Sequence, residues 1–365
     1  MTWDDTPFEG PLRKALLSAG FPSPTPTQAQ SWPIALNRRD LISVARTGSG
    51  KTCGFLLPAF HMLSASADAL PPRMGAPPKV LVLAPTRELA MQIETEARKF
   101  GRASAIRSTC VYGGAPKYPQ IKALEGGVEV LIATPGRLND LVNMNKVNLS
   151  NVRYLVLDEA DRMLDMGFEP QIRSIIEALP KARPAGTAAA ASAAADAAAA
   201  AGKAAPPVPG PLTAATGRQT LFFTATWPKA VQRLAATFVT DPVSVTMGAA
   251  DGALRANAMI TQHVRVVTEG DKLDVLRNVL RETHPKVLIF TSRKRTCDKI
   301  AERLWNWGYA VDSLHGDREQ RERTEVMRRF RGGELRVIVA TDVAARGLDV
   351  RDVAAVINFD MGPVE

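Results

Sequence analysis

Eight short apolar runs punctuate the sequence, at residues 40–44, 79–84, 128–133, 154–157, 219–223, 287–290, 335–340 and 353–359. Each is rich in Val, Ile or Leu, is bounded by turn residues, and lacks clean apolar/polar alternation. A strand with one wet face alternates; one buried on both faces has no reason to. Between the runs lie helical patterns, such as Phe168, Ile172, Ile175, Ile176 and Leu179 with charges interspersed. Buried strands alternating with amphipathic helices predict an open α/β fold with parallel sheets. At 365 residues the chain is long enough for roughly two such domains.

Residues 182–217 break this pattern. They hold 18 alanines among 36 positions and a Pro/Gly-rich tail, so this stretch reads as a disordered low-complexity insertion without a core of its own. Long surface insertions cost little closure entropy, so a short linker should replace it without harm. Residues 242–258, with Gly248 and Gly252 and few large side chains, read as the linker between two halves. The expected domains are therefore 1–247 and 258–365.

Charge and cysteine content narrow the partners. A net charge of +9 suits a polyanion. Cys53, Cys110 and Cys297 are scattered and show neither a disulfide framework nor zinc-ligand spacing, which points to a reducing, intracellular compartment. No apolar run reaches transmembrane length, and the acidic start Thr2-Trp3-Asp4-Asp5 does not resemble a secretory signal. A membrane role is not expected.

Two motifs carry chemistry. Ala45-Arg46-Thr47-Gly48-Ser49-Gly50-Lys51-Thr52 follows an apolar strand and opens a helical pattern, the setting a P-loop needs. Its glycines let backbone N–H groups approach phosphates at a helix N-terminus. Lys51 would reach the β- and γ-phosphates of a nucleotide, and the Thr52 hydroxyl would hold Mg²⁺. Alone, the motif is also readable as a glycine turn with a chance lysine. The second motif is Asp158-Glu159-Ala160-Asp161, at the carboxyl end of an apolar run, where α/β sheets bind ligands. Asp158 would join the Mg²⁺ shell, and Glu159 would orient and deprotonate the attacking water. Alone, such a tetrapeptide is usually a solvated loop; joined to the P-loop it reads as catalytic.

With these residues in order, the sequence resembles the DEAD-box RNA helicase family. That resemblance implies two tandem RecA-like domains, with ATP and RNA bound at the cleft between them. Pro24-Thr25-Pro26-Thr27-Gln28 is similar to the family's Q motif, which implies that Gln28 reads the adenine edge and that Phe8 stacks on its face. Pro85-Thr86-Arg87-Glu88-Leu89-Ala90, Gly113-Gly114 and Thr134-Pro135-Gly136-Arg137 resemble first-domain motifs that contact RNA phosphates, hence contacts by Pro85, Thr86, Arg87, Gly114, Thr134, Gly136 and Arg137. Thr224-Ala225-Thr226 resembles the motif, usually Ser-Ala-Thr, that couples hydrolysis to RNA handling together with Asp161.

In the second half, Ser292-Arg293-Lys294-Arg295, Gln320-Arg321-Glu322-Arg323 and the stretch from Ala340 to Asp349 resemble further family motifs. They imply an RNA contact by Thr341 and a ribose contact by Asp349. Arg328, Arg329 and Arg331 read as a solvated helix face. The family's arginine motif would follow residues 356–360, and the sequence given ends at Glu365. The resemblance therefore implies an incomplete second domain and slow turnover of this stretch.

The function implied is an ATP-dependent RNA helicase that binds RNA backbone and unwinds local duplex or remodels RNPs, in the nucleus or cytoplasm. An ATP-dependent RNA clamp with little turnover and a DNA helicase or translocase remain as rivals. Aromatic residues are only 6% and form no paired-aromatic strand motif, which disfavours a sequence-specific RNA-binding module.

Overall fold

The computed structural model describes residues 2–65, 72–182, 212, 217–247, 260–283, 286–341, 350 and 352–360. The chain divides into two compact units, Met1–Ala253 and Leu254–Glu365.

The first unit is built on seven parallel strands: β1 (Leu41–Val44), β2 (Val80–Leu83), β3 (Ser108–Val111), β4 (Val130–Ala133), β5 (Tyr154–Leu157), β6 (Gln219–Thr224) and β7 (Val243–Thr246). Their order across the sheet is β3-β4-β2-β5-β6-β1-β7. The central strands show why the apolar runs did not alternate. Successive side chains of a strand point to opposite faces. In β2, Val80 and Val82 enter one core while Leu81 and Leu83 enter the other. In β6, Leu221 and Phe223 take the first face and Phe222 the second. Helices cover both faces, so both alternating sets must be apolar.

The second unit carries β8 (Lys286–Thr291), β9 (Val311–Leu314), β10 (Val337–Thr341) and β11 (Val353–Asn358), parallel and in the order β11-β8-β10-β9. It too has a core on each face, with Val337 and Val339 opposite Ile338 and Ala340. Among the described residues no helix is long and apolar enough to cross a membrane. The parallel α/β architecture expected from the sequence is thus found in both units.

Two sequence expectations need correction. The stretch 242–258 is not linker throughout, because Val243–Thr246 forms β7 and pairs with β1 in register Leu41↔Val243. The insertion 182–217 is not wholly without packed side chains. Leu212 is 3% exposed within the core that also holds Trp32 and Phe60. Residues 183–211 and 213–216, where the rest of that insertion falls, lie outside the described residues. On either side of it Ala182 bridges Arg218, and the Arg218 N–H donates to the Lys181 carbonyl at 3.1 Å. A linker replacing the insertion must therefore keep Leu212. Leu212→Ala should cost about 2–3 kcal/mol, the lower part of the range for a buried leucine. A thermal melt of that variant overlaying the parent's would show that this side chain contributes nothing.

Candidate nucleotide site and nucleic-acid edge

β1 and β5 flank β6, so the loops leaving all three emerge side by side at the carboxyl end of the sheet. The loop after β1 runs into the helix Lys51–Ser64. Gly48 and Gly50 take φ of +75° and +84°, which side chains with a Cβ avoid. At Gly50 there is no room either: a Cβ would come within 2.6 Å of Gln28 Nε2 and 2.9 Å of Thr25 Oγ1. Behind these glycines the Lys51 side chain is buried, and its Nζ has no hydrogen-bond partner among the described residues. The Ser49 hydroxyl is buried and unpartnered as well. Thr47 and Thr52 complete the loop and the first helical turn. An unpaired ammonium beneath a glycine loop at a helix N-terminus is fitted to an anion with several oxygens.

Asp158 and Glu159 follow β5 directly. Asp158 is buried, and burial pushes its carboxyl up to about 6; Lys51 works against that rise, and Glu159 and Asp161 add to it. The Glu159 N–H donates to Asp158 Oδ1 at 3.0 Å. Glu159 sits at φ +52°, a left-handed conformation uncommon for a side chain of this size. Arg162 Nη1 holds its carboxylate at 2.8 Å. One carboxylate plus the Thr52 hydroxyl is a sparse donor set. It suits Mg²⁺, which keeps several waters and takes phosphate oxygens for the rest. Among the described residues no cluster of three His, Cys, Asp or Glu side chains could hold a metal unaided. The cysteines are free, and burial raises all three thiols.

Asp161 reaches from this loop to the end of β6. Its Oδ2 accepts from the Thr226 N–H at 3.0 Å and the Thr226 hydroxyl at 2.8 Å. The Thr224 hydroxyl donates to the Thr226 carbonyl at 2.9 Å. The structure thus brings Asp161, Thr224 and Thr226 together, although residues 182–217 separate them in sequence.

Gln28 lies against the phosphate loop. Thr25 and Gln28 form a reciprocal cap on the helix Pro26–Leu36: the Thr25 N–H donates to Gln28 Oε1, and the Gln28 N–H donates to Thr25 Oγ1. Gln28 Nε2 donates to the Gly50 carbonyl at 3.1 Å, and the Thr25 hydroxyl to the Ser49 carbonyl at 2.8 Å. Within residues 24–28 no role was expected of Thr25 itself. The Thr-x-x-Gln spacing of a capping box is the signal that finds it. Arg162 was also missed; its place three residues after Glu159, one helical turn on, is the clue.

Phe8 requires correction. It was expected to cover an adenine, but it is fully buried, edge-on to Trp32 at 4.9 Å. The ring is enclosed in the core cluster that also holds Leu12 and Leu16 of the helix Gly10–Ser18. The half-buried aromatic of this segment is Trp3, whose Nε1 donates to the Phe21 carbonyl at 3.0 Å.

The remaining first-unit candidates gather at the carboxyl ends of β2, β4 and β3, which are neighbours in the sheet. After β2, Pro85 leads to Thr86, which caps the helix Arg87–Gly101 by accepting from Leu89 N–H at 3.2 Å. The Arg87 guanidinium lies 4.7 Å from the Tyr112 ring centroid. After β4, Thr134 precedes the helix Pro135–Asn143, with Gly136 in its first turn. The Gly113 N–H meets Thr134 Oγ1 at 3.4 Å, and Gly114 has φ +72°. Arg137 is buried, and its Nη2 donates to the Ala115 carbonyl at 2.9 Å, so it braces the glycine loop. In the second unit Thr341 ends β10, in register with Thr291 at the end of β8. Asp360 accepts from both the backbone N–H and the hydroxyl of Ser292 at 3.1 Å. Asp349 lies outside the described residues.

Comparison with known proteins identifies the family. The DEAD/DEAH box helicase family model matches residues 25–234, and the helicase conserved C-terminal domain model matches 271–363. The chain is 48% identical to DEAD-box ATP-dependent RNA helicase 14 of Arabidopsis thaliana, over 99% of this chain and 52% of that protein. It is 47% identical to ATP-dependent RNA helicase DBP2 of Candida albicans, over 99% of this chain and 58% of that one. It therefore spans about half the length of the curated relatives it matches. Among solved structures, S. cerevisiae Dbp5 bound to RNA and ADP BeF3 superposes with a TM-score of 0.77 at 26% identity, covering 100% of this chain and 81% of that one. Both parallel-sheet units are RecA-like. With family models covering most of its length, the chain belongs to the DEAD-box helicase family.

Proposed function

We propose that this chain is the motor of an ATP-dependent RNA helicase, which binds RNA through its backbone and uses ATP to unwind short duplexes or displace RNP proteins. The observation that carries the reading is the buried Lys51 ammonium, without a hydrogen-bond partner among the described residues, beside the buried Asp158. Lys51 binds the β- and γ-phosphates, with the backbone of Thr47, Gly48, Ser49 and Gly50 around them. Thr52 and Asp158 hold Mg²⁺, which when bound offsets the charge on the phosphate oxygens. Glu159 orients the attacking water and takes its proton. Asp161, through Thr226, links that carboxylate loop to the end of β6.

RNA lies along the carboxyl ends of β2, β3 and β4, at Pro85, Thr86, Arg87, Gly114, Thr134, Gly136 and Arg137, and in the second unit at Thr341. Hydroxyls, backbone amides and helix N-termini suit phosphates more than base edges, which makes binding salt-sensitive and weakly sequence-specific. Asp349 contacts the ribose of ATP.

ATPase activity should rise with single-stranded RNA and not with DNA of the same sequence; equal stimulation by both would overturn the choice of RNA. Gln28 supports ATP over GTP, because its amide keeps one N–H and one lone pair for an adenine edge after bonding Gly50 and Thr25. Gln28→Ala should weaken ATP binding by about 1–3 kcal/mol, the worth of a bidentate base contact, and GTP binding by less. Equal affinity of the unaltered chain for the two nucleotides would sink the assignment.

A further inference from the structure

We propose that a basic groove at the outer edge of the seven-stranded sheet docks an extended acidic peptide, which adds as a strand beside β3. The groove is a cavity of about 590 Å³ in the first unit. Arg98, Lys99, Arg102 and Arg107 line it, and no acidic or aromatic residue does.

Three observations lead to a peptide. The first is the open edge. β3 is the last strand on its side of the sheet. The Arg107 carbonyl accepts from the Val130 N–H of β4 and the Val111 carbonyl from the Thr134 N–H just after it, so by strand alternation the backbone groups of Ser108 and Cys110 point away from the sheet. At Tyr112, the next outward position, Gln120 already covers the edge: its Oε1 accepts from the Tyr112 N–H at 3.0 Å and its Nε2 donates to the Tyr112 carbonyl at 3.2 Å. The uncovered stretch therefore begins below Tyr112 and runs into the groove, where Ser108 lines the wall with a buried hydroxyl that has no partner among the described residues.

The second observation is the charge around that stretch. Arg98 and Lys99 each have one carboxylate on their own helix, Glu94 at 2.6 Å and Glu96 at 3.8 Å. Arg107 donates to the Gly126 carbonyl at 2.8 Å. Arg102 is exposed and makes no ion pair among the described residues. A guanidinium keeps donors for a second acceptor after its first bond, so the groove can still pair with carboxylates.

The third observation separates a peptide from RNA. The groove opens at the amino ends of β3 and β4, by Ser108 and Val128, whereas the candidate RNA residues sit at the carboxyl ends of the same strands. It offers no ring on which a base could stack. Free main-chain donors and acceptors at strand spacing match another polypeptide.

The test uses the full chain and a fluorescein-labelled ten-residue peptide of alternating glutamate and valine. Saturable binding is expected, about tenfold weaker for Arg98→Gln/Arg102→Gln, which neutralises two exposed side chains without setting a second carboxylate beside Glu94 and so should move the melting temperature little. Amide exchange of Ser108 and Cys110 should slow on binding. A peptide N-methylated at alternate residues, on the edge that faces β3, should bind at least as weakly as the unmethylated peptide binds the double variant. No binding by the glutamate–valine peptide overturns the proposal. So does equal binding of the N-methylated peptide. Decauridine binding that the double variant weakens to the same degree would make the groove an RNA surface and likewise overturn it.

Discussion

Glu159→Gln should reduce RNA-stimulated ATP hydrolysis by about 10²–10⁴-fold, the usual worth of a positioned general base, while leaving nucleotide binding intact. The amide has the carboxylate's shape and can still accept from Arg162 Nη1, now 2.8 Å from the acid. It cannot accept the proton that water must lose. The groups expected to grip ATP, namely Lys51, the glycine loop and Asp158, are untouched. The backbone should tolerate the change, since φ +52° is set by the turn between β5 and the helix Ala160–Asp165, and glutamine is no bulkier than glutamate. Hydrolysis and ATP affinity measured side by side check the prediction. A variant that hydrolyses at the parent's rate would remove Glu159 from the chemistry.

How much of this was readable from the sequence depended on where each strand lies in its sheet. The central strands β1, β2, β4, β5 and β6 are buried on both faces, and their runs of Val, Ile, Leu and Phe announced them. The three strands not foreseen, β3 (Ser-Thr-Cys-Val), β7 (Val-Ser-Val-Thr) and β9 (Val-Asp-Ser-Leu), are all edge strands. An edge strand has fewer neighbours to pack, tolerates polar residues, and in four residues gives no long apolar run. β7 shows the consequence: its two exposed positions, Ser244 and Thr246, made it look like linker.

The candidate site was readable wherever a residue type is dictated by backbone geometry or charge. Gly50 must lack a Cβ because Gln28 and Thr25 crowd it, and Asp158 must follow a buried strand to meet Lys51. Residues whose part depends on which way a side chain turns were not readable. Phe8 and Trp3 are both aromatics ahead of Gln28, and only packing shows that Phe8 turns inward against Trp32. Leu212 is one apolar residue in a stretch of alanine and proline, and nothing local distinguishes it from a solvated leucine. Arg137 has a charge suited to phosphate, yet its guanidinium is spent in part on the Ala115 carbonyl.

Asp158→Asn should stabilise the nucleotide-free chain at neutral pH while removing its Mg²⁺-dependent grip on ATP. Burial raises the Asp158 carboxyl from its ordinary 3.8 to about 6, so the folded chain holds this proton more tightly than the unfolded chain does. The stability contributed by the protonated group is fully present below pH 3.8 and is lost as pH rises through 6. At pH 7 and above, the ionised carboxylate therefore costs the fold about 3 kcal/mol, at roughly 1.4 kcal/mol per pKa unit. Asparagine is neutral throughout and can still accept the Glu159 N–H through its side-chain oxygen. The variant should melt above the parent at pH 8, and the gap should close as pH falls towards 4. An amide oxygen is a much weaker Mg²⁺ ligand than a carboxylate, so ATP binding by the variant should lose its dependence on the metal. In the parent, Mg²⁺-dependent binding should fade below pH 6, because the cation must then compete with a proton for Asp158. A destabilised variant at pH 8 would mean that the attraction of Lys51 for the Asp158 carboxylate outweighs the cost of burying its charge. The reverse result means that the fold holds a carboxylate at a net cost, which a divalent cation bound with ATP would offset.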